Sequence, residues 1–415
     1  MNTEGESRCL DAVIVALSQV CEGREKRWYT STLELQLVSL EFCRACRSNP
    51  TLHVRVDAET PRTLWSTPKA HTGVTTRSLK IRLLGRVPAV RALRLTWTLP
   101  TGVLAQSAAK ELWKWSSVLH LRGSASAADF ESMIWSQALE ELVLDAKVEK
   151  ADLKAMSLPP SLQRLRFGDT FNQRIHEIVW SASLQQLSFG CTFNRPIVGV
   201  EWPTALQQLS FGDCFNQHIT GVAWPASLQQ LSFGRAFDRS IAGVAWPDSL
   251  EKLSFGVFFD QAIDGVAWPA SLRQLSFGRA FDQPIAGVAW PASLQRLSFG
   301  EYFNQPITGD VWPPFLQQLS FGTLFNEPIA GVMWSPSLQR LSFGSLFDQP
   351  IAGVVWPASL QQLSFGNFFN QPIAEVVWPN SLEKLSFGLF FNQSITGVAW
   401  PASLRSVTRL GVNLL

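Results

Sequence analysis

A 22-residue repeat dominates the C-terminal part of the sequence and constrains the fold more than any other feature. Each copy follows the pattern L-Q-Q-L-S-F-G-x-x-F-N-Q-P-I-x-G-V-x-W-P-x-S, and one copy runs from Leu184 to Ala205. The Phe-Gly pair recurs in eleven copies without insertion or deletion, from Gly168 to Gly388. A fixed period of about 20 to 50 residues is typical of solenoids, in which each copy forms one coil. The sequence therefore predicts a stack of 22-residue coils.

The residues within one copy predict a short β-strand followed by a return segment without a helix. Leu187 and Phe189 alternate with Ser188, as expected for a half-buried strand. Gly190 ends the strand and is Gly in every copy, which indicates a positive φ or a close backbone approach. Pro196 argues against a helix on the return side. The predicted fold class is therefore mainly β, a parallel β-solenoid whose coils bury their apolar side chains against one another.

One polar column keeps an acceptor oxygen in every copy. The position that Asn194 occupies in its copy holds only Asn or Asp throughout the repeats. Both side chains offer an oxygen that accepts hydrogen bonds, so we expect a ladder that binds loop N–H groups. Asp238, Asp260 and Asp282 occupy this column in consecutive copies. Their carboxylates leave a second interpretation open, a row that holds a cation.

A Trp column also keeps its phase, as Trp180 and Trp202 illustrate. Aromatic ladders of this kind stack sugars or nucleic-acid bases in some proteins. Val200 and Trp202, however, have the parity of a pair that points into the core. We therefore expect the Trp column to pack against neighbouring coils.

The run Phe303-Asn304-Gln305-Pro306-Ile307 carries a resemblance to a known family. Followed by a Pro-containing turn and S-L-x-x-L-x-F-G, it resembles the FNIP repeat, a relative of the leucine-rich repeat. The resemblance covers about residues 159 to 404 and implies a leucine-rich-repeat-like parallel β-solenoid, although most copies place Trp where the family has an aliphatic residue before Pro. Proteins with this repeat often resemble F-box or kinase proteins elsewhere. The sequence has neither an F-box signature nor the kinase motifs, so neither activity is implied.

The chain is predicted to have three parts. These are an N-terminal helical cap at residues 1–30, irregular leucine-rich-repeat-like coils at 31–157, and FNIP-like 22-residue repeats with a C-terminal cap at 158–415. The cap is inferred from the amphipathic spacing of Cys9 to Arg24. The irregular coils are inferred from alternating apolar segments, since Leu119, Leu142 and Leu165 follow one another at 23-residue intervals. An independent N-terminal domain stays open as the alternative.

Charge is unevenly distributed, although the net charge is only +2. Residues 44–94 hold eleven Arg or Lys and two acids, a local charge of 11 − 2 = +9. The densest basic residues are Arg77, Lys80, Arg82, Arg86, Arg91 and Arg94. One interpretation is a site for an anionic partner such as nucleic acid. The other, which we favour, is a solvated basic face in which Arg alternates with inward Leu.

Catalytic, metal-binding and membrane-spanning roles find little support in the sequence. Cys43 and Cys46 form a C-x-x-C pair followed by His53, but a second close pair of zinc ligands is missing. We therefore expect no metal and no cofactor.

The His residues share no repeat position and pair with no nucleophile, which predicts a non-enzyme. The sequence shows no apolar run of about 18 residues and no secretory signal, so we expect a cytoplasmic or nuclear protein without a membrane span.

The two positions after each Phe-Gly pair vary more than any others, which favours them as the place of a specific contact. The outward strand positions, by contrast, are almost uniformly Ser in one column and Gln, Lys or Arg in the next. The large apolar residues predicted to contact a partner are Phe258, Tyr302, Leu324, Phe368 and Phe390. Neutral variation at unconstrained loop sites is the alternative.

Three hypotheses for function follow from the sequence. The first is a non-catalytic scaffold that binds a protein partner of unknown identity through the solenoid surface. The second is binding of nucleic acid or another anionic surface through residues 77–94, which predicts a steep dependence on salt. The third is a mainly structural repeat protein without a dedicated ligand.

Overall fold

The structure of the protein is a computed structural model. The described residues are 51–56, 92–99, 118–125, 137, 139–148, 158–309, 312–409 and 411–414. The chain divides into two compact units, Met1–Gly190 and Cys191–Leu415. The predicted helical cap at residues 1–30 and the pair Cys43 and Cys46 lie outside the described residues.

The described residues of the first unit form parallel strands. These are β1 (Thr51–Val56), β2 (Ala92–Leu99), β3 (Val118–Ala125), β4 (Glu141–Val148), β5 (Arg164–Phe167) and β6 (Gln186–Ser188). Each strand pairs with the next one along the chain. Leu119 lies opposite Leu142, and Leu142 lies opposite Leu165, which confirms the strands predicted from the 23-residue spacing.

The second unit continues with one short strand in each coil. Its strands are β7 (Gln208–Ser210), β8 (Gln230–Ser232), β9 (Lys252–Ser254), β10 (Gln274–Ser276), β11 (Arg296–Ser298), β12 (Gln318–Ser320), β13 (Arg340–Ser342), β14 (Gln362–Ser364), β15 (Lys384–Phe387), β16 (Ser406–Arg409) and β17 (Val412–Asn413). Strands β7 to β16 are parallel, and each is shifted by 22 residues from its neighbour. The last strand, β17, pairs antiparallel with β16. The predicted β-solenoid is confirmed, and no helix occurs among the described residues.

Three tight turns carry the chain from one strand to the next, as the coil that contains β7 illustrates. The turns are 212–215, 219–222 and 225–228, and in each the amide of the last residue donates to the carbonyl of the first at 3.0–3.2 Å. Gly221 occupies the third position of the second turn with φ of 81°. That conformation suits a type II turn and favours glycine. The return segment of this coil therefore consists of turns, in agreement with the prediction from Pro196 that the return side forms no helix.

The core consists of stacked aromatic rings with aliphatic side chains beside them. Phe211 and Phe215 of one coil lie with ring centroids 4.1 Å apart. Each ring stacks on its counterpart in the next coil, Phe233 at 5.7 Å and Phe237 at 6.2 Å. Phe215 is fully buried, as are its counterparts in the neighbouring coils. Because every ring needs the coil before it and the coil after it, no coil completes its own core.

The Trp column belongs to this packing, as the parity of the sequence predicts. Trp312, Trp334 and Trp356 are buried and stack on one another at 6.3–6.4 Å, so their ring faces are covered. Their indole nitrogens have no hydrogen-bond partner. Trp312 also meets Phe321 edge-on at 83°. Edge-on packing of this kind offers an aromatic face as a weak acceptor for an N–H group.

The Asn/Asp column forms the predicted hydrogen-bond ladder. Asn194 Oδ1 accepts from the amide of Asn216 at 3.0 Å and from Nε2 of Gln217 at 2.8 Å. The carboxylates do the same, since Asp238 Oδ1 accepts from the amide of Asp260 at 3.1 Å. Among the described residues, no group of three or more His, Cys, Asp or Glu is placed to hold a metal ion. The ladder interpretation is confirmed.

The Gly that ends each strand is required by a close backbone approach. A Cβ atom on Gly278 would overlap the carbonyl group of Gly256, its counterpart one coil earlier. Positive φ belongs instead to the column in the second turn, where Gly287 has φ of 75° and open space around it. Of the two explanations that the sequence left open, the structure supports close approach.

Substitution of Asp260 tests whether the ladder needs an acceptor oxygen or a charge. We expect Asp260→Asn to change the free energy of unfolding by less than about 0.5 kcal/mol, because an acceptor remains. Asp260→Ala should lower it by about 1–3 kcal/mol, because the amide of Asp282 and the side chain of Gln283 lose their acceptor. Urea unfolding measures both, with exposed Asp264→Ala as the control. Equal losses for the Asn and Ala variants would contradict the ladder.

The close approach of neighbouring coils predicts that Gly278→Ala is poorly tolerated. The added methyl group must separate two backbones, so we expect a loss of about 1–3 kcal/mol in the free energy of unfolding. Gly287→Ala meets only backbone strain and should lose about 1 kcal/mol. Chemical denaturation of the two variants compares their losses in the free energy of unfolding. A smaller loss for Gly278→Ala than for Gly287→Ala would show that the coils can separate without penalty.

Candidate interaction surface

The two variable positions of each coil are the middle residues of the first turn. We call the row of these turns in the second unit, from Arg235–Ala236 to Leu389–Phe390, the variable edge. The amide of Tyr302 donates to the carbonyl of Arg279 at 2.9 Å, and the amide of Phe368 donates to that of Ser345 at the same distance. These bonds involve only backbone atoms. The turn therefore keeps its geometry whatever side chains it carries, which explains why the sequence varies here.

The structure places all five predicted contact residues in one column of the variable edge. Four side chains are exposed: Phe258 (50%), Tyr302 (42%), Phe368 (47%) and Phe390 (48%). Leu324 is half-buried. Leu346, which lies 22 residues after Leu324, is also exposed and was not among the residues predicted from the sequence. Because Leu346 occupies the same repeat position as Leu324, the period of the sequence could have identified it.

Five consecutive coils contribute a continuous row of apolar side chains, which we call the apolar strip. Its members are Tyr302, Leu324, Leu346, Phe368 and Phe390. Neighbouring strands are ~4.8 Å apart, so four steps give the strip a length of about 19 Å. The rings of Phe368 and Phe390 are in contact, with centroids 4.8 Å apart. Phe258 lies apart from the strip, because Ala280 separates it from Tyr302 in the column.

The residues beside the apolar strip are uncharged over most of its length. The first turn positions are Thr323, Ser345 and Asn367 in three successive coils, followed by Leu389, which is also exposed. Glu301 is the charged residue at the N-terminal end of this row. The strip is therefore suited to an apolar partner surface, not to an ionic one.

A group of charged and aromatic side chains borders the strip at Tyr302. The Arg279 guanidinium forms an ion pair with Glu301 at 2.7 Å and lies 5.3 Å from the centroid of the Tyr302 ring. The hydrogen bond to Glu301, with the charge of that carboxylate, raises the pKa of Arg279 above its usual value. Arg235 lies over Phe258 in the same manner, at 5.2 Å. Exposed pairs of this kind contribute little stability, but they orient the rings they contact.

The outward strand positions form a second surface, which is polar and uniform. Their side chains are mostly Gln and Ser, with exposed Arg296, Arg340 and Lys384 among them. The neighbouring column carries weak ion pairs such as Arg273 with Glu251, at 3.9 Å. Repetition of the same polar groups offers little to distinguish one partner from another.

The remaining sequence-based candidates are not assembled into a site within the described residues. Arg94 lies in β2, where only its backbone is described, and the other basic residues of the segment 77–94 lie outside the described ranges. Cys214 is an exposed free thiol. His176 and His218 are exposed. No helix among the described residues is long and apolar enough to span a membrane.

The described coils define a class of protein, the leucine-rich-repeat-like parallel β-solenoids. More narrowly, the coils of this chain are FNIP repeats. The FNIP repeat family matches residues 151–192, 215–258, 259–302, 288–324 and 325–368. The resemblance inferred from the run Phe303 to Ile307 is thereby confirmed.

Two solved structures are similar to this chain over about seven tenths of its length. CroV588, described as a novel circular leucine-rich-repeat protein, has 32% identity and a TM-score of 0.47, covering 71% of this chain and 56% of its own. The internalin InlF from Listeria monocytogenes has 17% identity and a TM-score of 0.48, covering 72% of this chain and 88% of its own. The chain thus spans little more than half the length of CroV588. No curated protein matches the sequence.

The adjacent residues Phe368 and Phe369 allow the stability effect of a surface side chain to be compared with that of a core side chain. Phe368 is 47% exposed in the apolar strip, whereas Phe369 is fully buried in the ring stack. We expect Phe369→Ala to lower the free energy of unfolding by about 3–5 kcal/mol. Phe368→Ala should lower it by less than about 1 kcal/mol. Denaturant titration measures both values, and similar losses for the two variants would refute the distinction.

Proposed function

We propose that this protein is a non-catalytic scaffold that binds a partner protein through the apolar strip. The observation that carries the proposal is the continuity of apolar side chains over five coils, from Tyr302 to Phe390, of which four are exposed and Leu324 is half-buried. Exposed apolar patches of this kind typically mark protein interaction sites. Tyr and Phe also supply large contact area with few rotatable bonds, and Tyr is enriched among residues that dominate binding energy.

The backbone beneath the strip favours tight binding because it is already ordered. Each turn is held by a bond to the preceding coil, as for Phe368 with Ser345, and the turns 300–303, 322–325 and 344–347 also have a bond across them at 3.4 Å. Binding therefore requires little further loss of backbone freedom. The partner is a different protein that presents an apolar ridge of matching length, about 19 Å. The first turn positions are uncharged from Thr323 to Leu389, with Glu301 at one end and the Arg409 guanidinium, which donates to the Leu389 carbonyl, at the other. Binding should therefore depend weakly on salt.

The proposed function needs neither a catalytic group nor a cofactor. His176 and His218 are exposed and lie at different positions of the repeat. We place the protein in the cytoplasm or the nucleus, in keeping with the small number of Cys, six in 415 residues. Binding of nucleic acid through residues 77–94 is the second candidate, favoured by the local charge of +9 over residues 44–94.

Affinity capture from a native lysate with full-length variants tests the proposed function. The wild type should retain a discrete protein at both low and high salt. Phe368→Asp combined with Phe390→Asp should reduce retention at least about tenfold, because two charges would be buried against an apolar partner. The matched control is Arg340→Glu on the strand face, which should retain the partner.

Three outcomes would contradict the proposed function. Undiminished retention by the Asp variant places the contact elsewhere on the surface. Capture that disappears at high salt and with Arg77, Lys80 and Arg82 replaced by Gln assigns binding to the basic segment. An eluate without a discrete partner favours a mainly structural role in that cell type.

A further inference from the structure

A second exposed surface, formed by the return segments of the last six coils, has no role in the proposed function. We call it the return face. Its described residues are 284–292, 306–309, 312–314, 328–336, 350–358, 372–380 and 394–402. In three consecutive coils the side chains of Met333 (67%), Val355 (81%) and Val377 (82%) are largely exposed. Most of the other exposed residues in these segments are Ala, Gly, Pro or Thr.

Charge is almost absent from the return face. Among its described residues, Glu375 is the single charged side chain, and the sequence places one further acid, Asp310, in the same six segments. The first four coils of the same unit carry more charge in fewer segments, namely Glu201, Asp248 and Asp264, together with His218. The exposed side chains of Met333, Val355 and Val377 thus lie at the end of the unit that has fewer charges. An extended surface with so few charges is unusual for a surface that faces only water.

The return face has a column of large side chains and a column of small residues that run side by side across the coils. Met333, Val355 and Val377 form the large column, which we call the ridge, since they occupy one position in successive coils. The small column lies two to three residues earlier in each coil, where Ala330–Gly331 and Ala352–Gly353 are exposed. Small residues in this arrangement let another backbone or side chain approach closely, as in packed helix pairs.

We propose that the return face binds the return face of a second copy of this chain. A two-fold axis between the two columns places the ridge of each copy over the small residues of the other, so large side chains meet small ones on both sides. Both ridges have the same spacing, one side chain per coil at ~4.8 Å, so the match persists along the face. The strand face lacks this property, because its exposed Arg296, Arg340 and Lys384 would repel the same residues of a second copy.

The area of the return face is sufficient for a dimer of modest affinity. Six coils span five steps of ~4.8 Å, and nine partly extended residues with one tight turn are about 20 Å wide. The two copies together would thus bury about 1,000 Å², the lower limit for a specific interface. We therefore expect a dimer that dissociates in the micromolar range.

Sedimentation equilibrium of the full-length protein over about 1–200 µM tests the proposed dimer. The wild type should change from the 46.2 kDa monomer to twice that mass with rising concentration. Val355→Lys and, separately, Val377→Lys should weaken self-association at least about tenfold. Each substitution is present in both copies, so the interface would bury two unpaired charges. Both residues are more than four-fifths exposed, so the monomer should keep its thermal unfolding midpoint.

Phe368→Lys serves as the matched control because it places the same charge on the apolar strip. This variant should dimerise like the wild type, even where it abolishes binding of the heterologous partner. A wild type that stays monomeric throughout the range would overturn the inference. Unchanged dimerisation of both Val variants, or loss of dimerisation in Phe368→Lys, would place the contact away from the return face.

Discussion

The stacking of one coil on the next is the interaction on which the rest of this structure depends. The Phe rings, the Asn/Asp ladder and the strand bonds all connect a residue to its counterpart one coil away. Phe215 with Phe237 and Asn194 with Asn216 are examples. In the second unit the same 22-residue step serves every kind of contact, so an insertion within a coil would displace the Phe rings, the ladder and the strand from their counterparts together. The strict period of the sequence follows from this shared step.

This constraint also explains where the chain is free to vary. The first turn of each coil is fixed by backbone bonds, such as that from the Tyr302 amide to the Arg279 carbonyl, and its side chains point away from the core. The return segments vary within a narrower range, because their second turn favours Gly and their Trp packs inward. The two surfaces proposed to bind partners therefore lie where coil stacking constrains the side chains least. Substitutions on these surfaces leave the buried Phe columns unchanged.

Much of the fold could be predicted from the sequence because the same residue types recur at the same positions in many copies. The strand at Gln186–Ser188, the inward Phe189 and the ladder at Asn194 all follow from residue type and spacing. The reason for Gly190 did not, since close approach and positive φ select the same residue. Leu346 and the exposed ridge at Val355 also escaped notice, because exposure of an apolar residue depends on how the turns direct each column.

The antiparallel strand β17 has a consequence for assembly that the repeat alone does not provide. Each coil is nearly identical to the next, so the edge of any coil is a template for a further one, in the same chain or in another molecule. A stack built only of such units has no intrinsic length. At the end of the chain, Val412–Asn413 runs against the direction of β16 and occupies part of its edge with the wrong polarity for another coil. These two residues thus make part of the β16 edge unavailable to a further parallel coil, and they limit open-ended addition of strands at this place.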